Sequence, residues 1–142
     1  MYRVHLRDPV ARTSSTRLPN KALLEVIENV NLLDLLLYRL KTEFNPLSIV
    51  LATTKLKQDD ILEKIANKHS INFFRGEEKN VLDRLINSSS QFEGCQNIVR
   101  ITGDNPLTDP LVLKKMIRES SRIASLFCYI TEHFLCWLQV YL

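Results

Sequence analysis

A chain of 142 residues, 45% hydrophobic and 25% charged, suits one domain with a buried core and lies far from the low-hydrophobicity, high-charge composition of disorder. Its net charge of +3 is too mild to imply a nucleic-acid surface that binds by counterion release. Three cysteines, odd in number and without CxxC spacing, argue against a zinc site and a closed disulfide framework, and no secretory pattern opens the chain, so a reducing cytoplasm is expected.

The charge is uneven. Arg3, Arg7, Arg12, Arg17 and Lys21 crowd the first 21 residues with only Asp8 against them, which makes this end a candidate for an anionic ligand; the plain alternative is a solvated basic arm. Within it, Ala11–Lys21 is a polar loop of three cations separated by small hydroxyl residues. Arg12 and Arg17 offer planar donor forks that match phosphate oxygens, Lys21 offers a mobile point charge, and Ser14 and Ser15 let backbone amides approach closely. The loop does not match the Walker pattern, which disfavours a P-loop kinase or ATPase.

Further along, Asn31 and Asp34 form an N-cap pair. Leu32, Leu33, Leu36, Leu37 and Leu40 follow the spacing of a core-facing helical stripe, predicting a helix to about Lys41. The apolar, β-branched run Ser48–Thr53 predicts a central strand buried on both faces. Asp59 or Asp60 caps a second helix carrying Ile61, Leu62, Ile65 and Ala66, and Ile71–Phe74 reads as the next strand, followed by Arg75-Gly76. Val81, Leu82, Leu85 and Ile86 form a third helical stripe, ended by the polar run Asn87–Ser90, and Ile98–Ile101 is a further strand. Asp109-Pro110 places a cap before a proline at the first helical position, leading into Leu111, Val112, Met116 and Ile117. The alternation of strand-length and helical runs predicts an α/β domain with a mostly parallel sheet.

Two further segments carry candidate chemistry. Arg100–Pro106 puts Asp104 just beyond the carboxyl end of a strand, where open α/β sheets bind ligands. Asp104 suits a magnesium ion that completes its shell with waters and phosphate oxygens; the rival is a turn aspartate satisfying its own backbone. Phe73–Arg84 is a strand end, a polar loop and a helix start. Arg75 leaves the sheet at the ligand-binding edge, while Asn80 reads as an N-cap and Asp83 and Arg84 as decoration of a solvated helix face. From Leu126 to Leu142, 13 of 17 residues are apolar or aromatic, and the exceptions include Glu132 and His133. That is too short and too polar at its middle for a membrane span, so a buried or partner-covered segment is expected, with a membrane anchor as the weaker reading.

The ordered set ARTSSTRLPNKALL, IVLATT, FFRGEEKNVLDR and VRITGDNPLTDP resembles the cytidylyltransferase family, most of all its spore-coat polysaccharide type, which is related to the synthetases of CMP-sialic acid and CMP-ketodeoxyoctonate. The resemblance covers roughly residues 11–119. It implies a Rossmann-like nucleotidyltransferase fold, a three-layer sandwich, and transfer of CMP from CTP to a sugar or sugar acid with release of pyrophosphate. By motif position, Arg12 and Lys21 would grip the triphosphate, Ser14, Ser15 and Arg17 would shape that loop, Arg75 would lie near the cytidine, Arg100 would face substrate, and Asp104 would bind magnesium. The expected partners are CTP and the sugar acceptor, with no nucleic acid and no membrane span.

The sequence departs from the family pattern in three places. Val4–Val10, holding Arg7, Asp8 and Pro9, makes a poor central strand, because proline lacks the ladder donor and buried charges are costly. Asn20 stands where a glycine is usual, and Glu28–Asn31 replaces a Gly-Lys-Pro type turn. Residues 1–119 therefore read as the nucleotide-binding part and 120–142 as an apolar segment without family likeness. The portion that would build the acceptor pocket, add acidic metal ligands and form a homodimer is unrecognisable. A catalytically silent, truncated remnant that binds nucleotide or a protein partner is the alternative.

Overall fold

The structure is a computed structural model that describes residues 2–7, 20–90, 97–120, 128–129 and 137–139. Four parallel strands form its centre: β1 (Tyr2–Arg7), β4 (Ile49–Thr54), β5 (Asn72–Gly76) and β6 (Asn97–Thr102). A small antiparallel hairpin, β2 (Glu25–Ile27) and β3 (Val30–Asn31), stands apart, and β7 (Cys128–Tyr129) and β8 (Trp137–Gln139) extend the main sheet. The sheet runs β5-β4-β1-β6-β8-β7, with β8 antiparallel to β6.

Strand order explains the layers. The chain starts at the centre with β1, moves outward through α1 (Leu32–Leu40) to β4 and through α2 (Asp60–His69) to β5. It then crosses back through α3 (Val81–Ser90) to β6 on the other side of β1, and α4 (Pro110–Ser120) follows. Because such crossovers are right-handed, reversing direction along the sheet moves the connecting helix to the opposite face. Accordingly Leu33, Leu36, Leu37 and Leu40 of α1, Leu62, Ile65 and Ala66 of α2, and Leu113, Met116 and Ile117 of α4 form one core with Ile49, Leu51, Val99 and Ile101. On the other face α3 lies over β5 and β4.

The strand around His5 is more favourable than its sequence indicates. β1 is central, paired in parallel with β4 through Val4–Arg7 and with β6 through Tyr2–Arg7. Its described residues are Tyr2–Arg7; Asp8 and Pro9 lie outside the described residues. The third helix likewise runs through the polar residues expected to end it. Ser88, Ser89 and Ser90 each turn the hydroxyl back onto the carbonyl three residues earlier, at 2.8, 2.7 and 3.1 Å, which satisfies these polar side chains without leaving the helix. Of the apolar segment 126–142, β7 and β8 are described; β8 pairs with β6, and β7 lies at the edge beyond it. Among the described residues no helix is long and apolar enough to cross a membrane.

The expected capping devices form in α1 and α4 and differ in α2. Asn31 accepts from Asp34 N at 2.8 Å while Asp34 accepts from Asn31 N at 3.3 Å, a complete capping box. Asp109 Oδ1 accepts from Leu111 N and Val112 N. Asp59 makes no such cap. Fully buried, its Oδ2 instead accepts from Thr53 Oγ1 at 3.0 Å, from Thr54 N at 3.3 Å and from Thr54 Oγ1. This ties the start of α2 to the end of β4. Asp59→Ala leaves those donors without their acceptor, and we expect a loss of roughly 2–3 kcal/mol in urea unfolding at neutral pH with an unchanged m-value.

A second buried polar contact ties α1 to α2. His69 and Asp34 are nearly inaccessible, with His69 Nε2 2.6 Å from Asp34 Oδ1, and Lys68 Nζ reaches the same oxygen at 3.1 Å. Burial pushes the His69 imidazole below its usual value, outweighing the opposing pull of Asp34. For Asp34 burial raises the carboxyl, but the hydrogen bonds from His69, Lys68 and Asn31 win and hold it below the usual range. The ring is therefore neutral with its hydrogen on Nε2, which leaves buried Nδ1 as a bare acceptor without a partner rather than a stranded N–H. Both groups bind protons more weakly folded than unfolded, so both add stability at high pH and lose it as pH falls. Stability followed by urea unfolding should decline as pH drops below about 6.5, where the unfolded histidine begins to protonate, and again through the carboxylate range. His69→Gln should flatten the first decline.

Candidate functional site

All four parallel strands point their carboxyl ends to one edge of the sheet, and the order reverses between β1 and β6. The crevice at the carboxyl ends beside such a reversal is the usual ligand position in open α/β sheets. The chain that follows β1 reaches Lys21 and the chain that follows β6 reaches Asp104, so both sequence candidates flank the crevice.

Lys21 opens a 3-10 turn, Lys21–Leu23, whose second residue, Ala22, is fully buried in the core. The turn is entered through Asn20 at φ 55°, in the left-handed region that favours glycine. Asparagine tolerates this region better than other side chains, which is why it can stand where the family pattern has glycine. Opposite, β6 ends at Thr102 and the loop closes on itself: Asn105 N donates to Thr102 O at 3.2 Å, and Thr108 Oγ1 to Asn105 O at 2.9 Å. Arg39 Nη2 from α1 reaches Thr108 O at 3.5 Å. Across the crevice Lys21 Nζ stands 3.4 Å from Asp104 Oδ2, with the side chains 48% and 28% exposed. Two groups 83 positions apart in sequence thus meet in an open, water-accessible contact.

The other predicted residues are not all at this point. Arg12, Ser14, Ser15 and Arg17 lie outside the described residues. Arg75 sits on β5, near the ligand edge, yet its guanidinium turns to α2, bonding Asp60 at 2.6 Å and Glu63 at 3.3 Å and lying 5.5 Å from the centre of the Phe73 ring. The hydrogen bond to Asp60 holds Arg75 firmly charged, pushing its value up. Arg100, next to His5 in the ladder, is half-buried. Its Nε has no hydrogen-bond partner and burial lowers its pKa.

Sequence reading missed the supporting cast. Arg84 is buried rather than decorating a solvated helix face, with Nη1 donating to Glu77 O at 2.5 Å. Lys55 after β4 bridges to Glu77 after β5 at 2.9 Å. The signal for Arg84 was the glycine eight residues before it: a Cβ at Gly76 would come within 2.7 Å of Arg84 Cγ. A concavity of about 430 Å3 between the β2–β3 hairpin, α1 and α2 includes Asp34, Lys64 and Lys68 in its lining but neither Lys21 nor Asp104. Its Asp34 and Lys68 satisfy each other, so it offers less free chemistry than the crevice. Among the described residues no three histidine, cysteine or acidic side chains gather as a metal cage.

The chain is similar in sequence and fold to known proteins. The cytidylyltransferase family profile matches residues 10–125. The chain is 45% identical to the protein MJ1063 of Methanocaldococcus jannaschii over 107 residues, covering 75% of this chain and 43% of that protein. It is 38% identical to the spore coat polysaccharide biosynthesis protein SpsF of Bacillus subtilis, covering 84% and 51%. Among solved structures, a cytidylyltransferase from Leptospira borgpetersenii superposes with a TM-score of 0.74 at 31% identity, covering 83% of this chain and 48% of that one. A CMP:2-keto-3-deoxy-manno-octonic acid synthetase complexed with CTP shares the fold, with a TM-score of 0.68 at 17% identity over 89% and 50%. The chain spans about half the length of the curated relatives it matches. With its motifs in order, its strands reversing at β1 and β6, and its lysine and aspartate meeting there, the chain belongs to the cytidylyltransferase family.

Proposed function

We propose that this chain binds CTP in the crevice between β1 and β6 and carries the nucleotide half of a transfer of CMP to a sugar or sugar acid in polysaccharide biosynthesis, with release of pyrophosphate. The observation that supports it most is the approach of Lys21 to Asp104 at the strand reversal. A cation and a carboxylate in an open contact are what a magnesium-bearing triphosphate needs. The lysine neutralises phosphate oxygens, and a single partly exposed carboxylate suits an ion that keeps several waters and takes its other ligands from phosphate. The donor set therefore fits magnesium, with Asp104 as the protein ligand. When bound, the ion would offset the charge of the triphosphate.

The chain's own residues supply the rest. Arg12 and Lys21 hold the distal phosphates and stabilise charge gathering on pyrophosphate as it leaves, while Ser14, Ser15 and Arg17 shape the loop that presents them. Arg75 lies at the base end; its bonds to exposed Asp60 and Glu63 are of the surface kind, worth little and readily exchanged for a ligand. Arg100, with Nε unpartnered beside β1, completes the cationic lining. Positioning of the attacking oxygen and the α-phosphorus in line accounts for most of the rate such a site can give. The acceptor is a sugar or sugar acid, a homodimer is in keeping with the family, and the cytoplasm is the compartment where CTP is available.

A second reading is a chain that binds nucleotide without turning it over. Calorimetric titration with CTP and magnesium, alongside pyrophosphate release over a panel of sugar acids, separates the two. Saturable binding is expected in both, and turnover only in the first; no saturable CTP binding removes both. Arg12→Ala should weaken CTP binding about tenfold, close to 1.4 kcal/mol, and leave CMP binding nearly unchanged, because the guanidinium is assigned to the distal phosphates. Lys21→Met should also weaken CTP, yet shift unfolding by no more than about 1 kcal/mol, since an exposed ion pair carries little stability.

A further inference from the structure

The turn between β5 and α3 is held from within by a side chain that the phosphate site does not use. Arg84, in the first turn of α3, is 3% exposed. Its Nη1 donates to Glu77 O at 2.5 Å and, at a longer 3.4 Å, reaches Glu78 O. Asn80 Oδ1 accepts from Asp83 N at 3.0 Å and Asn80 O from Arg84 N at 3.1 Å, fixing the helix start against the same turn. Gly76 completes the seat, because an added Cβ would stand 2.7 Å from Arg84 Cγ and 3.0 Å from its Cβ. A buried guanidinium committed to the carbonyls of an exposed turn is a costly way merely to reverse the chain, which small polar residues do unaided. What it adds is a fixed orientation of two successive peptide planes.

In a trans peptide the N–H points opposite to the C=O. With the Glu77 and Glu78 carbonyls turned inward to Arg84, the N–H groups of Glu78 and Lys79 turn outward, at the edge of the sheet where Asp104 also lies. Three inter-strand steps separate β5 from β6, roughly 14 Å, a distance that an extended nucleoside triphosphate bridges from base to terminal phosphates.

We propose that Arg84 is a positioning residue for base selection. It presents the Glu78 and Lys79 N–H groups as a fixed donor pair to a pyrimidine edge carrying adjacent acceptors. Cytosine offers two acceptors there, O2 and N3. Uracil carries a hydrogen on N3, so a donor would face a donor and a desolvated N–H would be left unpaired. The inference rests on the reading that a triphosphate occupies the crevice with its base toward β5, and it assigns the selectivity to a residue that never touches the ligand.

The test is titration of the full chain with CTP and with UTP in magnesium, for the wild type, Arg84→Met and Lys79→Pro, with thermal unfolding of each. Lys79→Pro deletes one of the two N–H donors, leaves Arg84 in place and decides the matter if Arg84→Met does not fold. The wild type should prefer CTP. Each variant should cut the CTP-to-UTP affinity ratio about tenfold through weaker CTP binding, with UTP binding little changed. Equal proportional losses of CTP and UTP would make the turn a structural brace only and overturn the inference. Equal binding of CTP and UTP by the wild type would overturn it while leaving the triphosphate reading intact, and absence of binding to either would remove that reading and this inference with it.

Discussion

The reversal of strand order between β1 and β6 is the constraint on which the molecule turns. Because each parallel connection is right-handed, a chain that leaves the centre in one direction and returns to the other side must place its later crossover helix on the opposite face. Lys21 and Asp104 owe their meeting to that topology. Neither local helix propensity nor side-chain chemistry would bring them within reach.

Two buried polar contacts keep this frame in register, and both act on α2. At one end Asp59 gathers Thr53 and Thr54 and sets the helix against the tip of β4; at the other His69 meets Asp34, the residue that also closes the capping box of α1. A helix pinned at both termini by groups that cannot be left unsatisfied has little freedom to slide. Asp60 and Glu63, which hold Arg75, ride on that helix. The placement of Arg75 thus depends on contacts well inside the fold.

Much of this was legible in the residues. The leucine stripe of α1 with its Asn31/Asp34 cap, the buried run of β4 and the Asp109-Pro110 start of α4 are local patterns with a local physical cause, and each formed as expected. The misreadings share a different cause. Asp59 looked like a cap but is claimed by hydroxyls on a neighbouring strand, and the serines at the end of α3 bond back along their own helix. A strand holding Arg7 is central, paired in parallel on both sides with β4 and β6. Arg84 read as a surface charge because burial is decided by what packs over a residue, and here only Gly76 leaves room for it. Of the candidate site, the approach of Lys21 to Asp104 follows from strand order rather than from either segment alone, and the direction taken by Arg75 depends on α2 and could not be read from its own segment.

The antiparallel course of β8 carries a practical consequence. Tyr2 stands opposite Asn97 at the start of β6, and Gln139 stands opposite Ile98, its neighbour. Both positions therefore lie at the rim remote from Asp104, with only β6 between them. A fluorophore, an affinity handle or a surface tether attached beside either residue would leave the crevice unobstructed.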